Sequence, residues 1–315
     1  MPRTWRKWPE LQWCHYLCRN GFYATTMVKR FPVPDDFVGW TPTAKIAYGR
    51  KIECINWPEY APVEYTSPTV DGKPWADPDI SDPSFKPQWN SLDGPIDRQC
   101  YGRGKGVFSY VISDDGRPIN PFGRTGITGR GVLGRWGPNH AADPIITRWK
   151  PKSLTWTEPE ENSQPKDDDI LQFVAIQRRD TKQWALPGGM VDPGEPVENT
   201  LKREFMEEAL NSLARESQST VMTIKRKINE LFKRGDVVYK GYIDDPRNTD
   251  NAWIETTAVN FHDNDGTAFN SIHLSAGDDA CQVQWMDINE SLELYAEHRM
   301  LLTYAEMLRN VNWKF

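Results

Sequence analysis

The sequence has few cysteines and few histidines, five of each in 315 residues. Cys14, Cys18, Cys54, Cys100 and Cys281 are odd in number and scattered. That excludes a disulfide scaffold and reads as a reduced, intracellular chain. Cys14-His15-x-x-Cys18 has ligand-like spacing, but no second pair follows at zinc-finger distance. No run approaches about eighteen apolar residues, so a membrane span is not expected and the chain itself should not contact a membrane. A basic excess is missing too. Lys and Arg number 38 against 44 Asp and Glu, a net charge of -6, which argues against nucleic acid as a partner.

What is present is aromatic. The 14 Trp, 12 Phe and 11 Tyr exclude a disordered chain, and the length suits one large or two ordinary domains. Proline and tryptophan crowd the first half, where their density forbids long helices and allows short strands and turns. Residues 1–30 form an extension with Arg3, Arg6, Lys7, Arg19, Lys29 and Arg30 against Glu10 alone. It has the charge of a transit peptide but no serine and several tryptophans, so the alternatives are a targeting segment and a stretch from inside a longer protein. The polar run Thr155–Asp169 reads as an exposed connection. A boundary near residue 165 follows, with a domain over 31–165 before it and another over 166–315 after it.

The second half has clear periodicities. Ile170–Arg179 reads as a buried strand, and Trp184 to Gly189 as a strand entering a glycine turn. Val197–Leu213 reads as a helix with a stripe of Val197, Leu201, Phe205 and Leu210, opened by Glu195-Pro196. Val221–Lys233 reads as a basic helix with a solvated face. Val237–Ile243, Trp253–Phe261 and Cys281–Ile288 read as strands, and Ser291–Arg309 as a terminal helix. In the first half only Val107–Ser113, followed by a turn at Asp114-Asp115-Gly116, reads as a strand. The mixture is α+β.

Chemistry is concentrated between Gly189 and Glu208. On a helix Glu204, Glu207 and Glu208 stand at i, i+3 and i+4, which puts three carboxylates on one face. Like charges so close are costly without a cation among them, and hard oxygen ligands suit Mg²⁺, with Mn²⁺ able to substitute. Gly188-Gly189 lets backbone approach metal or phosphate, and Arg203 is placed to hold Glu195.

This segment resembles the Nudix box, G-x5-E-x7-R-E-U-x-E-E-x-G-U with U bulky and apolar. Gly189, Glu195, Arg203, Glu204, Phe205, Glu207 and Glu208 match, while Leu210 replaces the expected glycine and Asn211 the final apolar residue. The strings from Phe122 to Asp143, from Leu186 to Glu195 and from Asp244 to Trp253 resemble the ADP-ribose pyrophosphatase branch of that superfamily. They also resemble the related C-terminal domain of melastatin-type, ADP-ribose-gated cation channels. The resemblance implies a Nudix α/β/α sandwich, a mixed sheet between helices, behind an N-terminal Pro- and Trp-rich cap of strands and loops, with substrate in the cleft between them. The implied reaction is hydrolysis of ADP-ribose to AMP and ribose 5-phosphate, with Arg203, Glu204, Glu207 and Glu208 catalytic and Glu204, Glu207, Glu208 and Gly189 on the metal. Vertebrate channel domains carry a degraded box and here it is intact, yet Arg30-Phe31-Pro32-Val33-Pro34 looks more like the entry to the channel domain. The partners are then ADP-ribose and, in the channel case, the rest of a tetrameric channel. The location is the cytoplasm, as a channel's cytosolic domain or a free enzyme, or the mitochondrion.

For the ligand, Arg124, Arg130, Arg135, Arg148 and Lys150 oppose only Asp143 within residues 123–150, a local positive balance that suits a diphosphate. These arginines divide between ligand contacts, for which Arg124 and Arg130 are chosen, and internal ion pairs. The resemblance places Asp245 and Arg247 near the ribose and phosphate, Tyr295 and His298 at the adenine side, and Tyr110 as a further stacking ring. Trp136 and Trp253 read as core aromatics, His140 as a hydrogen bonder in a loop, and Asp278-Asp279 after Gly277 as a turn. The competing functions are an ADP-ribose-binding sensor module with little turnover and a Nudix hydrolase of another dinucleotide such as NADH.

Overall fold

The computed structural model describes residues 47–48, 51–52, 60–103, 106–151, 170–210, 217–264, 274, 276, 280–289 and 291–309. Cys14, Cys18, Cys54, the 1–30 extension, the string at 30–34, the connection at 155–169 with the boundary near 165, and the turn at 277–279 lie outside the described residues. The chain forms two compact units, residues 1–139 with 242–255 and residues 140–241 with 256–315.

The first unit has short strands, as its proline content dictates. β1 (Ala47–Tyr48) pairs with β2 (Lys51–Ile52), β3 (Val63–Thr66) runs parallel to β6 (Ile127–Gly131), and β4 (Leu92–Asp93) pairs with β5 (Ile96–Asp97). Aromatic packing supplies the core. Tyr110 meets Trp253 edge-on at 5.2 Å and Phe122 stacks on Tyr242 at 4.0 Å, around a buried Cys100. Trp136 and Trp253 are core residues, as their type implies. The strand expected over 107–113 is reduced to isolated bridges, Cys100 with Phe108 and Ile112 with Pro118. The turn after it forms, with Gly116 at φ +83 and Ser113 N–H donating to Arg117 O at 2.9 Å. Proline at 118 has no N–H to give a ladder, which limits the pairing to single bridges.

Buried charge organises the rest of this unit. Asp77 accepts from Arg98 Nη1 at 2.8 Å and Nη2 at 3.0 Å, from Arg135 Nη1 at 2.9 Å and from the Trp136 N–H at 2.9 Å. Arg98 Nε also meets Asp93 at 2.7 Å.

A seven-stranded sheet, most of its residues in the second unit, runs in the order β11 (Asp236–Tyr242), β12 (Ala252–Asp263), β7 (Gly137–Trp149), β8 (Leu171–Arg178) and β13 (Ala280–Asp287). β9 (Trp184–Ala185) adds to β8 and β10 (Gly189–Met190) to β7. β7, β8, β9, β10 and β13 pair antiparallel, and the fold is α+β. α1 (Val197–Ala209) and α2 (Gln218–Phe232) cover the sheet through Leu201, Phe205, Ile224, Ile228 and Leu231, packed on Ala142, Ile146, Val174, Val259 and Phe261. Phe205 is fully buried, so removing its ring would cost about 3–5 kcal/mol.

α1 starts at the residue after Pro196, where a missing N–H is harmless. α2 starts earlier than its apolar pattern suggests, because the Ser217 hydroxyl caps it from Thr220 N–H. The terminal helix, α3 (His298–Leu308), starts seven residues later than expected. Ala296 sits at φ +50, and Tyr295 N–H is spent on Trp184 O at 2.7 Å, so the stretch before α3 is a docked turn. His140 lies in β7, not in a loop.

Candidate active site on the second unit

α1 presents its carboxylates differently from a single exposed face. Glu204 and Glu208, one turn apart, are buried on the side that packs, while the Glu207 side chain is 44% exposed. They face the turn joining β9 to β10. Glu208 Oε2 accepts from the Gly188 N–H at 2.9 Å. A Cβ on Gly189 would lie 2.6 Å from Glu204 Oε2, so a larger residue there would push the Glu204 carboxylate aside.

Arg203 closes the other side. Its Nε and Nη2 reach Glu195 at 3.2 and 3.0 Å, its Nη1 reaches Glu204 at 2.7 Å and Glu207 at 3.3 Å, and Nη2 also donates to Met190 O at 3.3 Å. Thr200 Oγ1 donates to Glu195 at 2.8 Å. Arg203 holds the Glu195 carboxyl below the usual range and is itself held firmly charged by Glu195. Burial pushes the Glu204 carboxyl up to about 7 against the pull of Arg203, with the charges of Glu207 and Asp143 adding to the rise.

Asp143 is the residue that sequence reasoning left out of the site. It is buried in β7, and Thr256 Oγ1 donates to its Oδ2 at 2.5 Å. A Cβ on Gly188 would lie 2.9 Å from Ala142 O and closer still to Asp143 Oδ1. The available signal was Asp143's standing as the lone acid in a basic stretch.

Among the described residues no three His, Cys, Asp or Glu side chains are drawn together as a closed metal site. Glu204 is turned to Arg203 and Glu208 to the Gly188 N–H. The donor chemistry nevertheless fits a hard dication. The donors are all oxygen, and ionising Glu204 in its buried place carries a cost that a neighbouring dication would offset.

The residues expected to bind ligand fall in both units. In the first, Tyr110 is buried, with its hydroxyl donating to Arg98 O at 2.9 Å, and burial pushes that hydroxyl up to about 12. Arg130 is 1% exposed, donates to the Asp77 and Gly134 carbonyls and lies over Trp136. Arg124 lies over the Tyr60 ring at 4.4 Å. Arg247 grips Asp245 through Nε at 2.8 Å and Nη2 at 2.9 Å. In the second, Tyr295 is buried with Arg178 over its ring at 4.4 Å. His298 Nδ1 accepts from the Leu186 N–H at 2.9 Å, so its neutral ring carries the proton on Nε2. The basic stretch at 123–150 meets acids from outside it, Asp77 at Arg135 and Asp287 at Lys150, and Arg148 stacks on Trp285 at 3.8 Å.

Residues 163–310 match the NUDIX domain, and residues 51–137 match the domain described as NUDT9-like, N-terminal. The chain is 47% identical to the mitochondrial ADP-ribose pyrophosphatase of Rattus norvegicus over 303 residues, 95% of this chain and 79% of that protein. It is 43% identical to the putative nudix hydrolase 6 of Caenorhabditis elegans, over 91% of this chain and 95% of that one. It is 44% identical to the transient receptor potential cation channel subfamily M member-like 2 of Nematostella vectensis, over 96% of this chain but only 18% of the channel. The chain belongs to the Nudix hydrolases, in the group that joins a NUDT9-like N-terminal domain to the NUDIX domain. No helix among the described residues is long and apolar enough to cross a membrane.

Proposed function

We propose that this chain hydrolyses ADP-ribose to AMP and ribose 5-phosphate with Mg²⁺, and that Mn²⁺ substitutes. The observation that carries this is the convergence of Glu204, Glu208 and Asp143 on the Gly188-Gly189 turn, in a chain so similar to an ADP-ribose pyrophosphatase. Glu204, Glu207, Glu208 and the Gly189 carbonyl would hold the cation. When bound, a dication neutralises phosphate charge and acidifies water. Arg203 keeps Glu195 and the loop before α1 fixed against the helix that carries the carboxylates. Arg124 and Arg247 offer charge to the diphosphate, and Asp245 orients Arg247 through their paired contacts. His298 offers an Nε2 donor on the adenine side. Tyr110 and Arg130 in the first unit and Tyr295 in the second are buried.

The test is incubation of the chain with ADP-ribose and Mg²⁺, with chromatographic identification of products. AMP should appear, and Glu208→Gln should lower turnover by about a hundredfold or more. Absence of AMP with both Mg²⁺ and Mn²⁺ between about pH 7 and 9 would overturn the reading. The similarity to a channel supports a second role for the same fold, as an ADP-ribose-binding module of a larger protein. Membrane spans encoded upstream in the source transcript would favour that role.

A further inference from the structure

Asp143 is 6% exposed, a carboxyl taken out of water where an apolar side chain would need no polar partner. Its surroundings account for its place. Thr256, on β12, fixes Oδ2 by a 2.5 Å hydrogen bond. Oδ1 lies against Gly188, where no side chain fits. Gly188 N–H in turn donates to Glu208, and β10 pairs with β7 so that Gly189 stands opposite Ala142, beside Asp143. A continuous path thus runs from Thr256 through Asp143 and Gly188 to Glu208 on α1.

We propose that Asp143 is a positioning residue for the cation site: anchored by Thr256, it sets the Gly188-Gly189 turn and through it the placement of Glu208 and Glu204. This rests on the reading of Glu204, Glu207 and Glu208 as cation ligands. Asp143 works as an outer partner does in metal sites, by fixing the orientation of groups that touch the ion. The contact needs the carboxyl's flat shape and an acceptor for the Thr256 hydroxyl, both of which an amide retains.

The experiment measures Mn²⁺ binding to the full chain without substrate, from the spin-resonance signal of free Mn²⁺, alongside thermal stability. Asp143→Ala should weaken binding by about tenfold or more, and Thr256→Val by several-fold. Asp143→Asn should recover most of the loss. The Ala–Val double variant should bind no more weakly than Asp143→Ala alone, because both act along one path. Binding at wild-type strength in a folded Asp143→Ala variant, or in Thr256→Val should the first not fold, overturns the proposal, as do fully additive losses. Glu208→Gln separates the two readings. If wild type does not bind Mn²⁺, or Glu208→Gln binds it equally well, the cation site itself is wrong. If Glu208→Gln loses binding while both path variants keep it, only the role of Asp143 is wrong.

Discussion

Arg203 and Glu195 meet through two near-parallel contacts, Nε to Oε1 at 3.2 Å and Nη2 to Oε2 at 3.0 Å. The fork ties the loop before α1 to the helix's second turn. A lysine would keep the charge and lose the fork. Arg203→Lys should lower kcat/KM for ADP-ribose by about ten- to a hundredfold, the equivalent of one or two charge-assisted hydrogen bonds. Steady-state kinetics at saturating Mg²⁺ checks this, and unchanged kinetics would remove Arg203 from the site's architecture.

Gly188 tolerates no Cβ, since one would press on both Asp143 and the Ala142 carbonyl. The Ala142 contact is with backbone of the sheet, so the turn must move and the Gly188 N–H must leave Glu208. Gly188→Ala is expected to abolish most turnover, by about a hundredfold or more, because a displacement of about 1 Å is enough to do so. Circular dichroism should show the fold retained.

His262 gives the second unit a pH dependence. Its Nδ1 shares a 2.9 Å hydrogen bond with Thr147 Oγ1, its ring meets Trp149 edge-on, and its buried Nε2 has no hydrogen-bond partner among the described residues. Burial, with the charge of Arg309, pushes its pKa down to about 4 from 6.5. The unfolded chain therefore takes up this proton more readily than the folded one. Stability from this group is complete above about pH 6.5 and is lost as the pH falls toward 4, by about 3 kcal/mol in all. Urea unfolding at a series of pH values should show a shallower acid loss in His262→Gln. Identical pH profiles would refute the assignment.

Asp77 predicts a stability defect in the other unit. Asp77→Ala strips partners from Arg98, which is 1% exposed, and from Arg135. Arg98 would keep only Asp93, and a buried guanidinium left so under-compensated costs up to about 3–5 kcal/mol, which should appear as a lowered Tm. Replacing Asp180, an exposed partner of Arg178, should change little.

The box and the elements around it were legible because their signals are local. Spacing placed Glu204, Glu207 and Glu208 on one helix, and the apolar run that forms β8 matched a short buried strand. Which of the three glutamates is buried was not legible, since that depends on where the Gly188 turn docks. Asp143 stayed hidden for a related reason. β7 has prolines at 138 and 144, which mask a 13-residue strand, and the turn it meets is some 45 positions further along the chain. The arginines of 123–150 looked like an anion site because their partners, Asp77 and Asp287, lie far away in sequence. The late start of α3 turns on one left-handed residue, Ala296, which alanine's usual helix preference conceals.

The first unit is discontinuous, closing only when residues 242–255 return to it. Tyr242 and Trp253, two of the three buried aromatics of its core cluster, belong to that returning segment. During synthesis this aromatic core therefore stays incomplete until residues 242–255 have emerged from the ribosome. The familiar order, in which the N-terminal unit folds first and its neighbour afterwards, is unavailable to this chain. Its exposure to holding chaperones and to aggregation is set by that delay, and a fragment ending at residue 139 would lack the rings on which its own core depends.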